Sequence, residues 1–213
     1  QADTGQISCD DANPGYYVDS DASTNQTACL AGTWQADTGQ ISCDDANPGY
    51  YVYSDASTNQ TACLVGTWQA DTGQTSCDDA DDGYYVDSEG SSNQTACLVG
   101  TYQPLTNQIS CQDADTGHYV NSTGSNSQTE CALGTYQSAT AQTSCEDADA
   151  GHYVDSTGSD SQTECALGTY QPDTGQESCL DADTGNYVDS TGSDSQTECA
   201  LGTYQPDTGQ ESC

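Results

Sequence analysis

The 13 cysteines are the residues whose type and spacing indicate chemistry most directly. Their separations alternate between 20 and 14 residues, so the pattern repeats every 34 residues from Cys9 to Cys213. No two cysteines are separated by only two residues, as in the pairs that hold structural zinc. Ordered cysteines in a chain of which only 32% is hydrophobic predict a disulfide framework, and with it an oxidising, extracellular location.

Two disulfide pairings agree with this spacing, one across 14 residues and one across 20. In alternate repeats both partners of the 14-residue pairing are replaced together, because Ala46 and Gln60 stand where the preceding repeat has Cys29 and Cys43. Joint replacement favours the 14-residue pairing, whereas the rival bond from Cys43 to Cys63 leaves it unexplained. The favoured bonds are Cys29–Cys43, Cys63–Cys77, Cys97–Cys111, Cys131–Cys145, Cys165–Cys179 and Cys199–Cys213, with Cys9 bonded to a cysteine upstream of the given sequence.

The carboxylates are the second candidate for chemistry, since 34 Asp and Glu residues face no Lys or Arg. Such a surface repels phosphate backbones and anionic lipids, so we expect neither nucleic-acid partners nor membrane insertion. Three Asp-x-Asp-x-Gly segments resemble the start of a calcium loop, although no bidentate Glu closes them in register. Calcium is therefore the one cofactor considered, with diffuse cation association as the alternative; the candidate ligands are Asp113, Asp115, Asp147, Asp149, Asp181 and Asp183.

Four Asn-x-Ser/Thr sequons predict covalently attached glycans, at Asn25, Asn59, Asn93 and Asn121. The first three occupy one repeat position, just before a cysteine. Runs of Ser and Thr add candidate positions for O-linked sugars.

Catalysis is not expected. The only two histidines, His118 and His152, stand where other repeats have Tyr16 or Tyr50, so we interpret them as drifted surface positions. Without Lys or Arg the chain has no cationic side chain to hold a phosphate or an oxyanion, and no residue outside the repeats stands out as a catalytic candidate.

The elements that carry these residues follow a finer repeat of 17 residues. A glycine recurs at this period from Gly15 to Gly202, and two positions after each glycine stands Tyr or Trp. Turn signals such as Asn13-Pro14-Gly15 separate short β-rich pieces, and no window shows helical periodicity. The fold class predicted is all-β and irregular: an elongated, disulfide-stapled rod without a compact globular core, in which Val52, Leu64 and Ile41 are typical of the few aliphatic side chains expected to be buried.

The domain organisation predicted is one continuous array, residues 1–213, cut from a longer secreted chain. Its approximate 34-residue repeats are 1–28 (partial), 29–62, 63–96, 97–130, 131–164, 165–198 and 199–213 (partial).

The element C-x2-G-T-[YW]-Q-x2-T-G-Q-x-S-C, as in residues 29–43, resembles the cysteine-rich repeat of the ephrin-receptor-like and tumour-necrosis-factor-receptor-like modules. It is most similar to the long tandem arrays in very large surface proteins of environmental archaea, bacteria and protists. The resemblance implies extended, disulfide-laddered modules in an extracellular stalk, with the first cysteine bonded to the one about 14 residues on.

Two function classes follow. The first is a structural extracellular protein at the cell surface, an acidic, glycosylated rod or filament whose partners are its glycans and neighbouring repeats or copies of itself. The alternative is a stalk, or a set of binding repeats, of a surface receptor or adhesin that contacts a partner or calcium.

Overall fold

The computed structural model describes residues 8–213, and within this range all regular secondary structure consists of two-residue β-strands. No helix occurs in this part of the chain. The strands are β1 (Tyr16–Tyr17), β2 (Thr27–Ala28), β3 (Thr33–Trp34), β4 (Asp44–Asp45), β5 (Tyr50–Tyr51), β6 (Thr61–Ala62), β7 (Thr67–Trp68), β8 (Asp78–Asp79), β9 (Tyr84–Tyr85), β10 (Thr95–Ala96), β11 (Thr101–Tyr102), β12 (Gln112–Asp113), β13 (His118–Tyr119), β14 (Thr129–Glu130), β15 (Thr135–Tyr136), β16 (Glu146–Asp147), β17 (His152–Tyr153), β18 (Thr163–Glu164), β19 (Thr169–Tyr170), β20 (Leu180–Asp181), β21 (Asn186–Tyr187) and β22 (Thr197–Glu198).

Each odd-numbered strand pairs antiparallel with the strand that follows it, so the described chain contains eleven two-stranded sheets. In the first sheet Tyr17 lies opposite Thr27, and in the next Trp34 lies opposite Asp44. One small hairpin therefore forms in each of the eleven 17-residue repeats from that of Gly15 to that of Gly185, and the prediction of an all-β, irregular fold is confirmed.

A tight turn carries the chain into each hairpin. The recurrent glycine, which we call position 0 of its repeat, has a positive φ, as at Gly15 with +81°. The N–H of Tyr16 donates to the carbonyl of Asn13 at 3.0 Å, with Pro14 and Gly15 between them. This arrangement fits a type II turn, in which proline is favoured at the second residue and only glycine readily supplies a positive φ at the third.

The chain divides into two compact units. The first comprises the described residues up to Cys97 together with Gln103–Cys111, and the second comprises Leu98–Tyr102 together with Gln112–Cys213.

Within the first unit, consecutive repeats are joined by backbone hydrogen bonds. The N–H of Gly32 donates to the carbonyl of Val52 at 2.7 Å, and the N–H of Gln35 donates to Ser57 at 3.1 Å. In the opposite direction the N–H of Ala56 donates to the carbonyl of Cys29 at 2.7 Å. Each repeat thus uses the next one to satisfy its backbone groups.

The same three bonds recur in the second unit. Gly134 donates to Val154 at 2.9 Å, Gln137 donates to Ser159 at 3.0 Å, and Gly158 donates back to Cys131 at 2.8 Å. The contact between successive repeats is therefore a repeated interface within each unit.

The glycine at position 0 is also in close contact with the backbone of a residue two repeats further on. A Cβ built on Gly32 would overlap the carbonyl oxygen of Gly73, and one built on Gly151 would overlap that of Gly192. At Gly185, by contrast, a Cβ would meet no heavy atom within 4 Å. Glycine is required at most of these positions by close approach as well as by its φ.

The core is thin and is built from small residues. Three positions before each glycine from Gly15 to Gly185 stands a buried Ala or Cys, such as Ala46 or Cys63 at 0% exposure. Three positions after it stands Val or Gln, and Val52 and Gln69 are both buried. The expected burial of Val52 is confirmed, but the expectation for Leu64 and Ile41 was wrong, because they are 65% and 73% exposed.

Candidate functional site

Six disulfides join the described chain at a sequence separation of 14 residues, with Cα–Cα distances of 5.7–5.8 Å. They are Cys29–Cys43, Cys63–Cys77, Cys97–Cys111, Cys131–Cys145, Cys165–Cys179 and Cys199–Cys213, the pairs that the joint replacement of Ala46 and Gln60 favours. The 20-residue alternative is not formed. Cys9 is exposed and takes part in none of the six bonds.

A buried glutamine closes five of the six disulfide loops a second time. In the loop between Cys131 and Cys145, Nε2 of Gln137 donates to the carbonyl of Ser144 at 2.9 Å. Its Oε1 accepts the N–H of Ala139 at 3.0 Å. Both ends of the buried amide are therefore satisfied, as a buried polar side chain requires. The equivalent buried side chains are Gln35, Gln69, Gln103 and Gln171.

In the alternate repeats a second glutamine occupies the place of the missing cysteine. Ala46 is fully buried, and Oε1 of Gln60 accepts the N–H of its neighbour Asn47 at 2.7 Å. A side-chain-to-backbone hydrogen bond across 13 residues thus stands in for the disulfide across 14. Sequence reasoning missed this role, although the recurrence of Gln at every such position was its signal.

The candidate calcium ligands face different partners. Oδ2 of Asp115, Asp149 and Asp183 accepts the Nε2–H of Gln128, Gln162 and Gln196 at 2.6–2.7 Å. Each of these carboxylates is therefore hydrogen-bonded to the glutamine that replaces a cysteine in the alternate repeats.

Asp113, Asp147 and Asp181 lie in strands β12, β16 and β20 and are exposed. The carboxyl carbon of Asp147 lies 3.5 Å from a Cβ built on Gly175, two 17-residue repeats further on. Across residues 8–213 the structure brings no three His, Cys, Asp or Glu side chains together in a group that could hold a metal ion.

The four sequon asparagines are all exposed. Asn25, Asn59 and Asn93 each stand two residues before an even-numbered strand, and Asn121 stands two residues after β13. A glycan on any of them would therefore project into solvent.

The two histidines lie in strands β13 and β17 and are half-buried. His118 lies opposite Glu130, and its Nδ1 is 3.0 Å from the carbonyl oxygen of Thr116. His152 occupies the equivalent place opposite Glu164. Each histidine therefore occupies the strand position that other repeats fill with Tyr.

The absence of cationic side chains affects the pKa of one half-buried phenol, that of Tyr136. Burial raises the pKa of Tyr136, and the negative charges of Glu146 and Asp149 together with a hydrogen bond to the Glu146 carboxylate raise it further. Glu146 stands directly opposite Tyr136 in the β15–β16 hairpin. In a chain without Lys or Arg, no side-chain charge opposes this effect.

The exposed apolar side chains recur at the 34-residue period. In the first compact unit Leu30 and Leu64 are exposed, and in the second Leu133, Leu167 and Leu201 are exposed. Each stands one or two residues after a disulfide-bonded cysteine.

The concave surfaces are shallow and polar. One hollow lies over residues 154–163 and is lined mainly by short polar side chains, including Ser156, Thr157 and Ser159. A second lies over the equivalent segment 52–61. These hollows lack the apolar walls typical of a small-molecule site.

Within residues 8–213 there is no helical segment long and apolar enough to cross a bilayer. No curated protein matches the chain.

A family model described as tyrosine-protein kinase ephrin type A/B receptor-like matches residues 117–165 and again residues 163–199. These ranges contain the loop of Cys131 and Cys145 and the loop of Cys165 and Cys179, each with its buried glutamine. The resemblance carried by the cysteine motif is thus found again over this stretch, and residues 117–199 are similar to ephrin-receptor-like cysteine-rich repeats.

Proposed function

We propose that the chain is a non-catalytic, structural extracellular protein, an acidic and glycosylated rod or filament built from tandem repeats. The observation that carries this proposal is the interface between successive repeats, in which Gly32 donates to Val52, Gln35 to Ser57 and Ala56 back to Cys29. Because each repeat forms the same interface with the next one, this arrangement suits a protein that becomes longer as repeats are added.

The thin core supports the same function. The largest fully buried side chains are one valine and five cysteines, so hydrogen bonds and covalent staples must contribute much of the stability that apolar burial supplies in a globule. Small domains of this kind depend on disulfides, which persist in extracellular compartments. The ephrin-receptor-like match over residues 117–199 agrees with that location.

Glycosylation is supported by accessibility. All four sequon asparagines are exposed, and none of them lies within a strand. Since no cation neutralises the 34 carboxylates, the hydrated glycans and the negative charge would both keep neighbouring rods in solution.

Electron microscopy of the native, unreduced material tests this proposal. We expect uniform filaments with an axial repeat commensurate with 34 residues and with density around them that the polypeptide does not account for. Short particles that end in globular heads would instead assign this segment to a stalk and place the function in other domains.

The second candidate is a set of binding repeats in a surface receptor or adhesin. It is favoured by the recurrence of exposed leucines such as Leu133 and Leu167 on an anionic surface, which suits a cationic, amphipathic partner. Deletion of one 34-residue repeat at a time distinguishes the two. Binding repeats would lose affinity for a partner in steps, whereas a structural rod would only become shorter.

A further inference from the structure

The hollow over residues 52–61 and the hollow over residues 154–163 are the same loop surface in two repeats, because each begins at the buried valine three positions after its glycine. Their linings differ in chemistry. Of the two, only the first contains an aromatic ring, that of Tyr53, and a sequon asparagine, Asn59. The first hollow therefore combines a ring surface with a candidate point of glycan attachment.

Tyr53 is an exception at its repeat position. The other alternate repeats have Asp or Asn there, as at Asp19 and Asp87. Residues 1–29 match residues 35–63 at every position except this one, so the tyrosine is an isolated change in an otherwise identical copy. Its side chain is 73% exposed and contributes little to the core, so its role lies at the surface.

A second ring positions Tyr53. The ring centroids of Tyr51 and Tyr53 lie 6.4 Å apart with an interplanar angle of 45°, which is within the range of favourable aromatic pairs. Tyr51 belongs to strand β5 and is half-buried, so it connects the exposed ring to the hairpin. Tyr53 is therefore a supported ring in the wall of the hollow.

Asn59 lines the same hollow with its side-chain amide available for attachment. The residue is exposed, and its amide has no hydrogen-bond partner among residues 8–213. Thr61, the hydroxyl residue of the sequon, lines the hollow as well. A glycan on Nδ2 of Asn59 would therefore begin at the hollow itself.

A pyranose ring suits this surface, because it has an apolar C–H face that packs on an aromatic ring and hydroxyls that bond to polar groups. The hollow offers the ring of Tyr53 together with the hydroxyls of Ser54, Ser57 and Thr58. Its volume of about 280 Å³ lies just below the range of roughly 300–1,000 Å³ that is typical of small-molecule sites, which fits a single sugar ring. A covalently attached sugar does not need apolar walls for affinity, since its attachment keeps it at the site.

We propose that the hollow over residues 52–61 is the binding site for the first sugar ring of a glycan on Asn59, with that ring packed on Tyr53. The inference rests on the proposed glycosylation and deepens it by naming the residues that the sugar contacts.

The same loop forms the interface with the preceding repeat. The N–H of Ala56 donates to the carbonyl of Cys29 at 2.7 Å, and the carbonyl of Ser57 accepts the N–H of Gln35 at 3.1 Å. A sugar that is attached at residue 59 and packed on residue 53 restrains the segment between them, which carries both hydrogen bonds. The glycan thus stabilises the contact between successive repeats.

Hydrogen exchange of the Ala56 amide tests the proposal, because it reports local opening of this interface. The unreduced chain 1–213 is secreted from a host that attaches N-linked glycans, and mass spectrometry establishes occupancy at Asn59. We expect exchange to be about twofold to tenfold slower with the glycan than in Asn59→Gln, as for a contact of the strength of an aromatic pair. This difference should disappear in Tyr53→Asp, which has the residue found at this position in most other alternate repeats.

Asn93 provides the matched control, because its repeat has the same sequon but Asp87 in the place of Tyr53. The N–H of Gly90 donates to the carbonyl of Cys63 at 2.8 Å, in the equivalent contact between repeats. Exchange of the Gly90 amide should therefore be the same with a glycan on Asn93 and in Asn93→Gln.

Two results would overturn the binding site, and they differ in what else they affect. If glycosylated chains with Tyr53 and with Tyr53→Asp protect the Ala56 amide equally, the sugar does not pack on the ring, although glycosylation stands. If native material carries no glycan on Asn59, both the binding site and the glycosylation proposed at this residue are wrong. The filament itself is tested separately by microscopy.

Discussion

At the scale of single residues, the buried glutamines contribute stability that apolar side chains supply in other small folds. Gln137 spans its disulfide loop with one donated and one accepted hydrogen bond, and it is 4% exposed. Substitution of one such partner leaves a buried group unsatisfied, which costs about 1–3 kcal/mol.

Gln137→Glu should therefore destabilise the chain at neutral pH by about 1–3 kcal/mol, because a carboxylate accepts the N–H of Ala139 but cannot donate to the carbonyl of Ser144. Burial beside that carbonyl raises the folded pKa of the new carboxyl above its unfolded value of about 4.3. The folded state then binds more protons, so stability falls as pH rises above about 4.3 and is recovered in acid. Urea denaturation at pH 4 and pH 7 measures this, and an equal loss at both values would contradict it; Gln137→Leu should show no such recovery.

Substitution of Ala56 tests how much strain a non-glycine residue has at the left-handed position. Its φ of +57° costs an alanine about 1–2 kcal/mol, whereas glycine adopts the conformation freely. Ala56→Gly should therefore raise the free energy of unfolding by up to about 1 kcal/mol, after subtraction of about 0.5–1 kcal/mol for the added backbone entropy of the unfolded chain. Ala70→Gly, at an exposed position without positive φ, is the control and should be destabilising. Equal losses for both variants in denaturant titrations would refute the strain at Ala56.

At the scale of the repeat, backbone approach decides which residues are tolerated. Gly151 and Gly185 have nearly the same φ, +82° and +81°, but only Gly151 meets a carbonyl from a later repeat. Alanine substitutions at these two glycines therefore separate the stability cost of the left-handed conformation from the stability cost of the contact with a later repeat.

Gly151→Ala should destabilise the chain by about 2–5 kcal/mol, the sum of left-handed strain and overlap with the Gly192 carbonyl. Gly185→Ala should cost only the strain, about 1–2 kcal/mol. Denaturation midpoints of the two variants compare these values, and similar losses would argue against the close approach between repeats.

Much of this repeat could be predicted from the sequence. The short β-rich pieces expected between turn signals are found as two-residue strands such as Tyr50–Tyr51 and Thr33–Trp34. Periodicity and turn residues predict these strands, because both depend on residues that are close together in the sequence. The exposure of Leu64 could not be predicted, since it depends on how closely one repeat lies against the next.

The glutamine staples left only a partial signal in the sequence, the recurrence of Gln at one repeat position. Gln60 takes part in a hydrogen bond whose partner is a backbone N–H, which has no sequence signature of its own. The same applies to Asp115, whose spacing with Asp113 suggested calcium but whose carboxylate is held by Gln128. Carboxylate spacing reports candidates for a metal site, whereas side-chain direction decides whether they converge.

At the scale of the whole molecule, covalent staples rather than ion pairs supply the strong links. The chain has no Lys or Arg, so salt bridges between side chains other than histidine cannot form, and six disulfides cross its described length. Each closes a loop of about 15 residues, which on the chain-entropy model is worth about 3 kcal/mol.

Thiol reductant should therefore unfold the chain, and EDTA should not. Circular dichroism and sedimentation after each treatment provide the comparison, with untreated protein as the reference. A chain that keeps its structure in reductant but loses it in EDTA would reverse the ranking of disulfides over calcium.

The proposed function requires that the molecule become longer in proportion to the number of its repeats. Small-angle X-ray scattering of unreduced chains that contain two, four and six 34-residue repeats measures this directly. We expect the maximum dimension to grow in proportion to the number of repeats while the cross-sectional radius stays constant. A maximum dimension that grows only as the cube root of chain mass would contradict the account, because it would mean that the repeats collapse into a globule.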